Sequence, residues 1–178
     1  MGSTESPEPT GSLHAKIESL FREHVDAVYN VAYRVLWNSA DAQDVVQSAF
    51  VKAFTRLDQL QDGSRARPWL LQITYREAIT VVRRRRDVPT DPTEMPETEA
   101  SAHGPDDQAI AHSIAEQIAE ALLQLREDER MAVVLRDVEE LSMREVAEVL
   151  EVGLSAAKMR VHRGRSELRR LLSAAEVY

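Results

Sequence analysis

Apolar residues recur at steps of three and four along most of this chain, which is the period of an amphipathic helix. The first such run extends from Leu13 to Leu36 and ends at a polar break over residues 38–41. Asp41 is the predicted N-cap of a second helix, which closes at Gly63. The pattern therefore predicts two successive helices in the first third of the chain.

A third helix is predicted to begin at Pro68, since proline is favoured in the first turn of a helix, where its missing N–H would have no partner. One face is apolar and includes Leu70 and Ala78, and the helix runs into four consecutive arginines at 83–86. The opposite face combines an aromatic ring with an amide and cations, which suits the stacking and neutralisation of a single nucleic-acid strand. The plainer alternatives are that Trp69 belongs to the core and that the arginines form a solvated helix end.

The helical pattern stops between residues 87 and 107. This stretch has seven acids, four prolines and no lysine or arginine, with almost no large apolar residue. Because it cannot bury a core, it is predicted to be an extended acidic linker, which at about 3.3 Å per residue would reach roughly 70 Å. A disordered tail is predicted over the polar residues 1–12. The chain is thus predicted to be all-α, with two small helical bundles at 13–86 and 108–178.

The C-terminal bundle is predicted to begin with two helices, one marked by apolar residues from Ile110 to Leu125 and the other by those from Met131 to Val138. Composition agrees with small bundles rather than sheets, because aromatic residues make up only 5% of the chain. Each bundle has only about 70 residues and a correspondingly small core, so docking on a partner would stabilise it.

Two more helices follow at short spacing. Ser142 stands three residues before Glu145, which is the capping-box pattern of a helix start, and this helix is predicted to end near Leu150. Residues 151–153 supply a turn, and Ser155 is the predicted cap of the next helix. The apolar stripe of that helix consists of Ala157, Val161, Gly164, Leu168 and Leu171. Together these elements predict a helix-turn-helix.

Turning by about 100° per residue assigns the residues of this last helix to its faces. The face opposite the apolar stripe is neutral and carries Ser155, Met159, His162 and Ser166. Cations border it, with Lys158, Arg165 and Arg169 on one flank and Arg160, Arg163 and Arg170 on the other. This layout suits a DNA major groove, where phosphates attract the flanks and base edges face the centre. The alternative is an amphipathic closing helix whose cations are merely solvated.

The net charge of -8 argues against a nucleic-acid partner only until its distribution is considered. The seven acids of the linker account for most of it, so the folded parts are close to neutral. The chain has no cysteine, and its five histidines show no metal-ligand spacing. No apolar run approaches the ~20 residues of a membrane span, and the N-terminus is unlike a signal peptide. We therefore expect a cytoplasmic protein with no cofactor and no bound metal ion.

Enzyme chemistry is not indicated by any motif. Ser155 and Lys158 fit the Ser-x-x-Lys string of penicillin-recognising enzymes, but the partner strings are missing and the pair lies inside the helix-turn-helix. No phosphate-binding glycine loop, zinc motif or Ser/His/Asp arrangement is found. The chain is therefore predicted not to be an enzyme.

Three strings resemble those of the bacterial extracytoplasmic-function (ECF) sigma factors. Residues 42–50 read Ala-Gln-Asp-Val-Val-Gln-Ser-Ala-Phe and resemble the family's Ala-Glu-Asp-Leu-Val-Gln-Glu-x-Phe signature. Residues 69–73, running on to the arginines, resemble the family's promoter-melting helix, and residues 141–165 resemble its second DNA-binding domain. The resemblance covers nearly everything from Leu13 to Leu172 in the same order.

What the resemblance implies is a transcription initiation factor that binds core RNA polymerase, directs it to promoters and helps to melt the duplex. The N-terminal bundle would meet the polymerase's clamp helices through Asp41, Asp44, Gln47 and Phe50. It would also bind the promoter's -10 element through Trp69, Gln72, Arg76, Thr80, Arg83 and Arg84. The C-terminal helix-turn-helix would bind the -35 element through Ser155, Lys158, Met159, Arg160, His162, Arg163 and Arg165. Many family members also have an anti-sigma partner.

The chain departs from the family pattern at several of these positions. Gln43 stands where the family usually has Glu, and Ala156 where it usually has Thr. Arg76 and Thr80 stand where Asn and often Asp are found, so the family's usual rule for reading -10 bases is not transferred. Glu151 takes the place of the usual Gly in the turn.

Two readings from other classes remain open from the sequence. One is a free-standing helix-turn-helix regulator that binds an operator as a dimer. The other is a helical adaptor without a DNA role, which would leave the cation-bordered face of the last helix unused. Co-purification with core polymerase would separate the initiation factor from both, and a salt-dependent footprint without polymerase would favour the regulator.

Overall fold

The structure is a computed structural model that describes residues 9–87 and 117–175, and all regular elements in these two stretches are helical. The first stretch contains α1 (Pro9–Leu36), α2 (Ser39–Thr55), the 3-10 turns Leu57–Gln59 and Gly63–Arg65, and α3 (Ala66–Asp87). The second contains α4 (117–124), α5 (Glu127–Val133) continuing as a π-helical segment (Val134–Val138), α6 (Met143–Val149) and α7 (Leu154–Ala175). The all-α prediction is confirmed.

The N-terminal boundary of α1 differs from the prediction. The helix begins at Pro9, four residues before the predicted start and inside the predicted tail. Proline is tolerated there because its missing N–H would be unpaired in a first turn anyway. The rest of the tail, the linker beyond residue 87 and the start of α4 lie outside the described residues.

The break between α1 and α2 is built by two residues that the sequence analysis did not single out. Trp37 follows the end of α1 in the left-handed region with φ 50°, and its ring packs 5.6 Å from that of Tyr33. Asn38 is extended, and its side chain accepts a hydrogen bond of 2.9 Å from the N–H of Asp41. The predicted capping role of Asp41 is therefore wrong. Asn38 is the cap because a capping side chain accepts from an N–H two or three residues further on.

The N-terminal bundle packs α1, α2 and α3 around a small apolar core. The predicted stripe of α3 is buried, and Thr74 in that stripe satisfies its hydroxyl by donating to Leu70 O at 2.8 Å. Pro68 lies in the first turn of α3, as predicted. The buried side chains of the three helices include Val28, Val31, Ala32, Val45, Ala49, Leu70 and Ala78.

The C-terminal bundle depends on a close crossing of α5 and α7 at Gly164. A Cβ atom added there would lie 2.6 Å from Val133 Cγ2 and 3.0 Å from Glu129 O. Glycine therefore lets the two helices approach closely and fixes the direction of α7. The surrounding core includes Leu122, Met131, Leu135, Val146, Val149, Ala157 and Val161.

The two bundles pack against each other, with α3 against α6 and α1 against α5. Buried apolar residues from both bundles belong to one cluster. The predicted linker is long enough to hold the two bundles far apart, and no local pattern in the sequence indicates this contact. Among the described helices, none is both long and apolar enough to cross a bilayer.

Candidate DNA and polymerase interfaces

The first helix of the helix-turn-helix, α6, starts with the predicted capping box. The Ser142 side chain accepts from the Glu145 N–H at 3.3 Å, and the Glu145 carboxylate accepts from the Ser142 N–H at 2.7 Å. The hydrogen bonds from Ser142 lower the pKa of Glu145. Val146 and Val149 are fully buried, so α6 is held both by its cap and by its inner face.

The turn between α6 and α7 differs in detail from the prediction. Within the turn, Glu151 adopts the left-handed conformation, with φ 55°. The Val152 N–H then donates to Ala147 O at 2.9 Å, which closes the turn. Helix α7 begins at Leu154, so Ser155 already lies within the helix and its predicted capping role is wrong. Leu154 is 39% exposed beside Ser155, so an apolar group that was not predicted there adjoins the outward face.

The predicted DNA-facing side of α7 is open to solvent. Ser155, His162 and Ser166 are exposed, and the side chain of Met159 is one of the most exposed apolar groups at 49%. The stripe on the other side packs inward, with Ala157 and Val161 buried. The arrangement of faces predicted from the helical period is therefore present in the structure.

The cations of α7 fall into two groups that the sequence did not distinguish. Arg160 Nε lies 3.4 Å from Asp128 Oδ2, and Arg165 makes a two-point contact with Asp137. The hydrogen bonds that Arg165 donates to the Asp137 carboxylate raise the pKa of Arg165. By contrast, Lys158, Arg163 and Arg169 are exposed and form no ion pair within residues 9–87 and 117–175. These three are the cations that are available to phosphates without breaking an internal contact.

The predicted -10 face of α3 is partly occupied by the other bundle. Gln72 Nε2 donates to Glu148 O at 2.9 Å, and Arg76 pairs with Glu151. Thr80 is exposed and donates back to Arg76 O at 2.8 Å. Arg83 and Arg84, two of the three remaining predicted residues, are exposed at the far end of the helix.

Trp69 contributes to the core but is not fully covered. Its ring is half-buried and packs against the core. It also lines a cavity with Pro68, Gln72 and Glu148, at the place where α3 meets α6. One side of the ring thus packs against the core, and another side lines the cavity at the junction of the two bundles.

A groove between α1 and α2 exposes a cluster of apolar side chains on the N-terminal bundle. Phe21, Val51 and Phe54 are 45%, 60% and 38% exposed, and the Phe21 ring lies 4.9 Å from that of Phe50. Phe21 and Phe54 belong to the apolar runs of the first two predicted helices, so the helical period alone would place them in the core. The groove is lined by Ile17, Phe21, Val25, Tyr29, Asp44, Val46, Gln47, Phe50, Val51 and Phe54, among others.

The structure brings three of the four predicted polymerase-binding residues together in this groove. Asp44 and Gln47 are exposed at its edge and Phe50 lies in its floor. Asp41 does not line the groove, because its carboxylate pairs with Arg85 of α3. An apolar centre with an acidic and amide rim is typical of a protein-docking surface.

Comparison with known families identifies both bundles. Residues 20–88 match Sigma-70 region 2, and residues 115–168 match Sigma-70, region 4. The ECF RNA polymerase sigma factor SigE of Mycolicibacterium smegmatis is 34% identical, over 94% of this chain and 70% of the relative. The sigma factor CarQ of Myxococcus xanthus is 32% identical, over 90% of this chain and 91% of its own length. The free-standing regulator would leave the region 2 match unexplained and has no support among these relatives.

Solved structures agree with this fold. The sigma factor RpoE from Bartonella quintana, solved in complex with the anti-sigma factor NepR, aligns over 89% of this chain and 97% of its own, with a TM-score of 0.74 at 23% identity. CnrH, solved in complex with the cytosolic domain of CnrY, aligns over 90% of both chains, with a TM-score of 0.65 at 25% identity. The predicted family is confirmed: the chain belongs to the ECF-type RNA polymerase sigma factors, the initiation factors that direct RNA polymerase to promoters.

Proposed function

We propose that this sigma factor divides its work between its two bundles. Residues 13–86 dock on core polymerase and bind the -10 element, and residues 108–178 bind the -35 element. Residues 87–107 connect these two parts of the chain. The protein acts in the cytoplasm as a binding factor and not as a catalyst. The observation that carries the proposal is the exposed apolar groove of α1 and α2, which offers a partner a docking surface on the bundle that matches Sigma-70 region 2.

The groove supports docking of a helical partner for two reasons. Exposed phenylalanine and valine side chains lie side by side, and burial of such a contiguous apolar surface stabilises a complex. Asp44 and Gln47 at the rim supply the polar contacts that set orientation. In the family the partner at this position is the clamp of the polymerase, so we assign the groove to it.

The -10 element is assigned to the exposed polar face of α3. Gln72 and Arg76 offer hydrogen-bond donors, Trp69 offers a partly accessible ring for stacking, and Arg83 and Arg84 offer charge to the backbone. Thr80 belongs to the same exposed face. Because Arg76 and Thr80 are not the family's usual residues, the bases preferred here should be this protein's own.

The -35 element is assigned to α7. Ser155, Met159 and His162 face outward in its N-terminal half, where recognition helices meet base edges. Lys158 and Arg163 flank them without internal ion pairs among the described residues, whereas Arg160 and Arg165 already have carboxylate partners. We therefore assign the main phosphate and base contacts to the first group and a supporting role to the second.

An anti-sigma factor is the remaining proposed partner. Both solved structures named above were determined with such a partner or with a cytosolic domain of another protein, which supports looking for one here. An anti-sigma factor that covered the groove would exclude the polymerase from the same surface.

Capture of the protein on immobilised core RNA polymerase tests the proposal. Val51→Asp places a charge among the apolar side chains that line the groove, and we expect the affinity to fall by about tenfold or more, because an exposed apolar contact is replaced by an unpaired carboxylate. Ser48→Asp is the matched control, since Ser48 is exposed on the same helix outside the groove. Circular dichroism checks that both variants keep their helices. Equal capture of the two variants and the original would contradict the assignment.

A further inference from the structure

The DNA-facing side of α7 carries an apolar side chain that the core does not use. Met159 lies on this side together with Ser155 and His162, and Met159 is 49% exposed. It lies outside the apolar cluster that holds the helices together. Ala157 and Val161 are buried on the inner face of the same helix. Packing of the C-terminal bundle therefore does not account for an apolar residue at position 159.

The chemistry of the methionine side chain limits what Met159 can contact favourably. An exposed apolar side chain gains free energy when a partner removes it from water. Methionine has no hydrogen-bond donor in its side chain, and its sulfur accepts only weakly. A polar base edge pressed against it would lose water without gaining a hydrogen bond, which costs free energy. Met159 therefore favours an apolar group on the surface that it meets.

Thymine is the one DNA base that presents an apolar group in the major groove. Its edge carries the O4 acceptor and the C5 methyl group. Guanine presents two acceptors there, adenine an acceptor and an amino donor, and cytosine an amino donor. A contact between Met159 and a base edge is therefore most favourable where the base is thymine.

The cations beside Met159 direct it towards base edges and not towards the DNA backbone. Arg163 lies one turn further along α7, about 40° away around the helix axis, and Lys158 lies on the opposite flank. Both are exposed and form no ion pair with any described residue, so phosphates can bind at the flanks. Met159 itself is in the second turn of α7, in the half where recognition helices meet base edges.

We propose that Met159 is a specificity-determining residue that recognises one thymine of the -35 element through its C5 methyl group. This inference rests on the proposed assignment of the -35 element to α7. The Cα atoms of Lys158 and Met159 are about 3.8 Å apart, which is close to the rise of about 3.4 Å per base pair. Allowing for the reach of both side chains, the thymine lies within about three base pairs of the position that Lys158 contacts.

Replacement of single thymines by deoxyuridine tests the methyl contact, because deoxyuridine lacks the C5 methyl group and keeps every hydrogen-bonding group of thymine. The -35 element is first selected from a randomised library with the holoenzyme of the original protein. The affinity of that holoenzyme is then measured for promoter fragments in which each thymine of the element, on either strand, is replaced in turn. We expect one replacement to weaken binding about threefold to fivefold, which is the effect of one buried methyl group.

Variants of Met159 show whether this residue makes the contact. Met159→Ala should weaken binding to the thymine fragment by a similar factor, and deoxyuridine at the same position should then have no further effect. Met159→Leu keeps an apolar side chain and should keep the methyl dependence. Leu123→Ala is the matched control, since Leu123 is 41% exposed on α4, outside the helix-turn-helix. It should respond to deoxyuridine as the original does, and circular dichroism checks that all variants keep their helices.

Two results would overturn the methyl contact while leaving the proposed function intact. One is a selected -35 element in which no thymine depends on its methyl group. The other is an equal effect of deoxyuridine on the original and on Met159→Ala. Failure of the holoenzyme to select any -35 element would instead contradict the proposed function of α7, and the contact of Met159 would fall with it.

Discussion

Arg165 donates two hydrogen bonds to the carboxylate of Asp137, one of them from Nε to Oδ2 at 2.9 Å. This contact ties the middle of the recognition helix α7 to the end of the π-helical segment. Arg163, two residues earlier, is exposed and forms no ion pair among the described residues. Two arginines that look equivalent in the sequence therefore differ in what they can offer to DNA.

The first prediction separates these two arginines by salt dependence. Arg163→Ala should weaken binding to all promoters alike and flatten the salt dependence by about one unit of slope, because one phosphate contact is lost. Arg165→Ala should change the slope less and should lower the free energy of unfolding by about 0.5–1 kcal/mol, since an exposed two-point ion pair is removed. Holoenzyme binding across a salt series and urea unfolding would measure both effects. Equal slopes for the two variants would contradict the distinction.

The second prediction concerns base reading by Lys158. This side chain is exposed beside Met159 on the outward side of α7. If it pairs with a guanine, Lys158→Ala should lose roughly 1–3 kcal/mol of discrimination at one position of the -35 element only. Selection from a randomised -35 library with the original and the variant would reveal it. Indistinguishable base preferences would make Lys158 a phosphate contact and shift base reading to Met159 and His162.

The third prediction uses the close approach at Gly164. Gly164→Ala should lower the free energy of unfolding of the C-terminal bundle by about 1–3 kcal/mol, because the new Cβ meets Val133 and the backbone of Glu129. Alanine's better helix propensity, about 1 kcal/mol, offsets only part of this. Gly153→Ala is the control, since no atom lies within 4 Å of its added Cβ and its φ is not positive. Urea unfolding that ranks the two variants equally would contradict the packing argument.

The fourth prediction concerns pH and His24. Burial lowers the pKa of His24 from its ordinary value of 6.5, with Glu23 raising it and Arg67 lowering it further. Protonation is therefore less favourable in the folded chain than in the unfolded one. The contribution of His24 to the free energy of unfolding should therefore be complete above about pH 6.5. It should fall as the pH drops from there to the folded-state pKa.

Replacement of this histidine isolates its contribution. His24→Gln has no titrating ring, so its free energy of unfolding should change less between pH 7.5 and 5.5 than that of the original. Urea unfolding at the two pH values would measure the difference. A variant that kept the full pH dependence would assign the effect to other groups.

Much of the fold could be predicted from the sequence because helices are specified locally. Apolar spacing identified α1, α2 and α3, and the Ser142 and Glu145 pattern located the start of α6. The mistakes were also local. Asn38 competed with Asp41 for the same capping position, and only the backbone conformation of Asn38 decided between them.

The candidate sites were predicted less completely because partners from distant segments cannot be read from spacing. The helical period assigned Ser155, Met159 and His162 to an outward face, and they are exposed. It could not tell that Phe21 and Phe54 line an open groove, since an apolar stripe is equally compatible with a covered face.

By itself, the sequence determined the all-α class, the helix-turn-helix and membership of the ECF sigma factors, because periodicity, caps and short motifs are properties of neighbouring residues. Only the tertiary structure decided which cations are already paired, which apolar groups remain exposed and that Arg76 meets Glu151. Those facts depend on contacts between distant segments of the chain. Arg76 and Glu151, for example, are 75 positions apart. Segments so distant meet only through the packing of α3 against α6, and no local pattern records that packing.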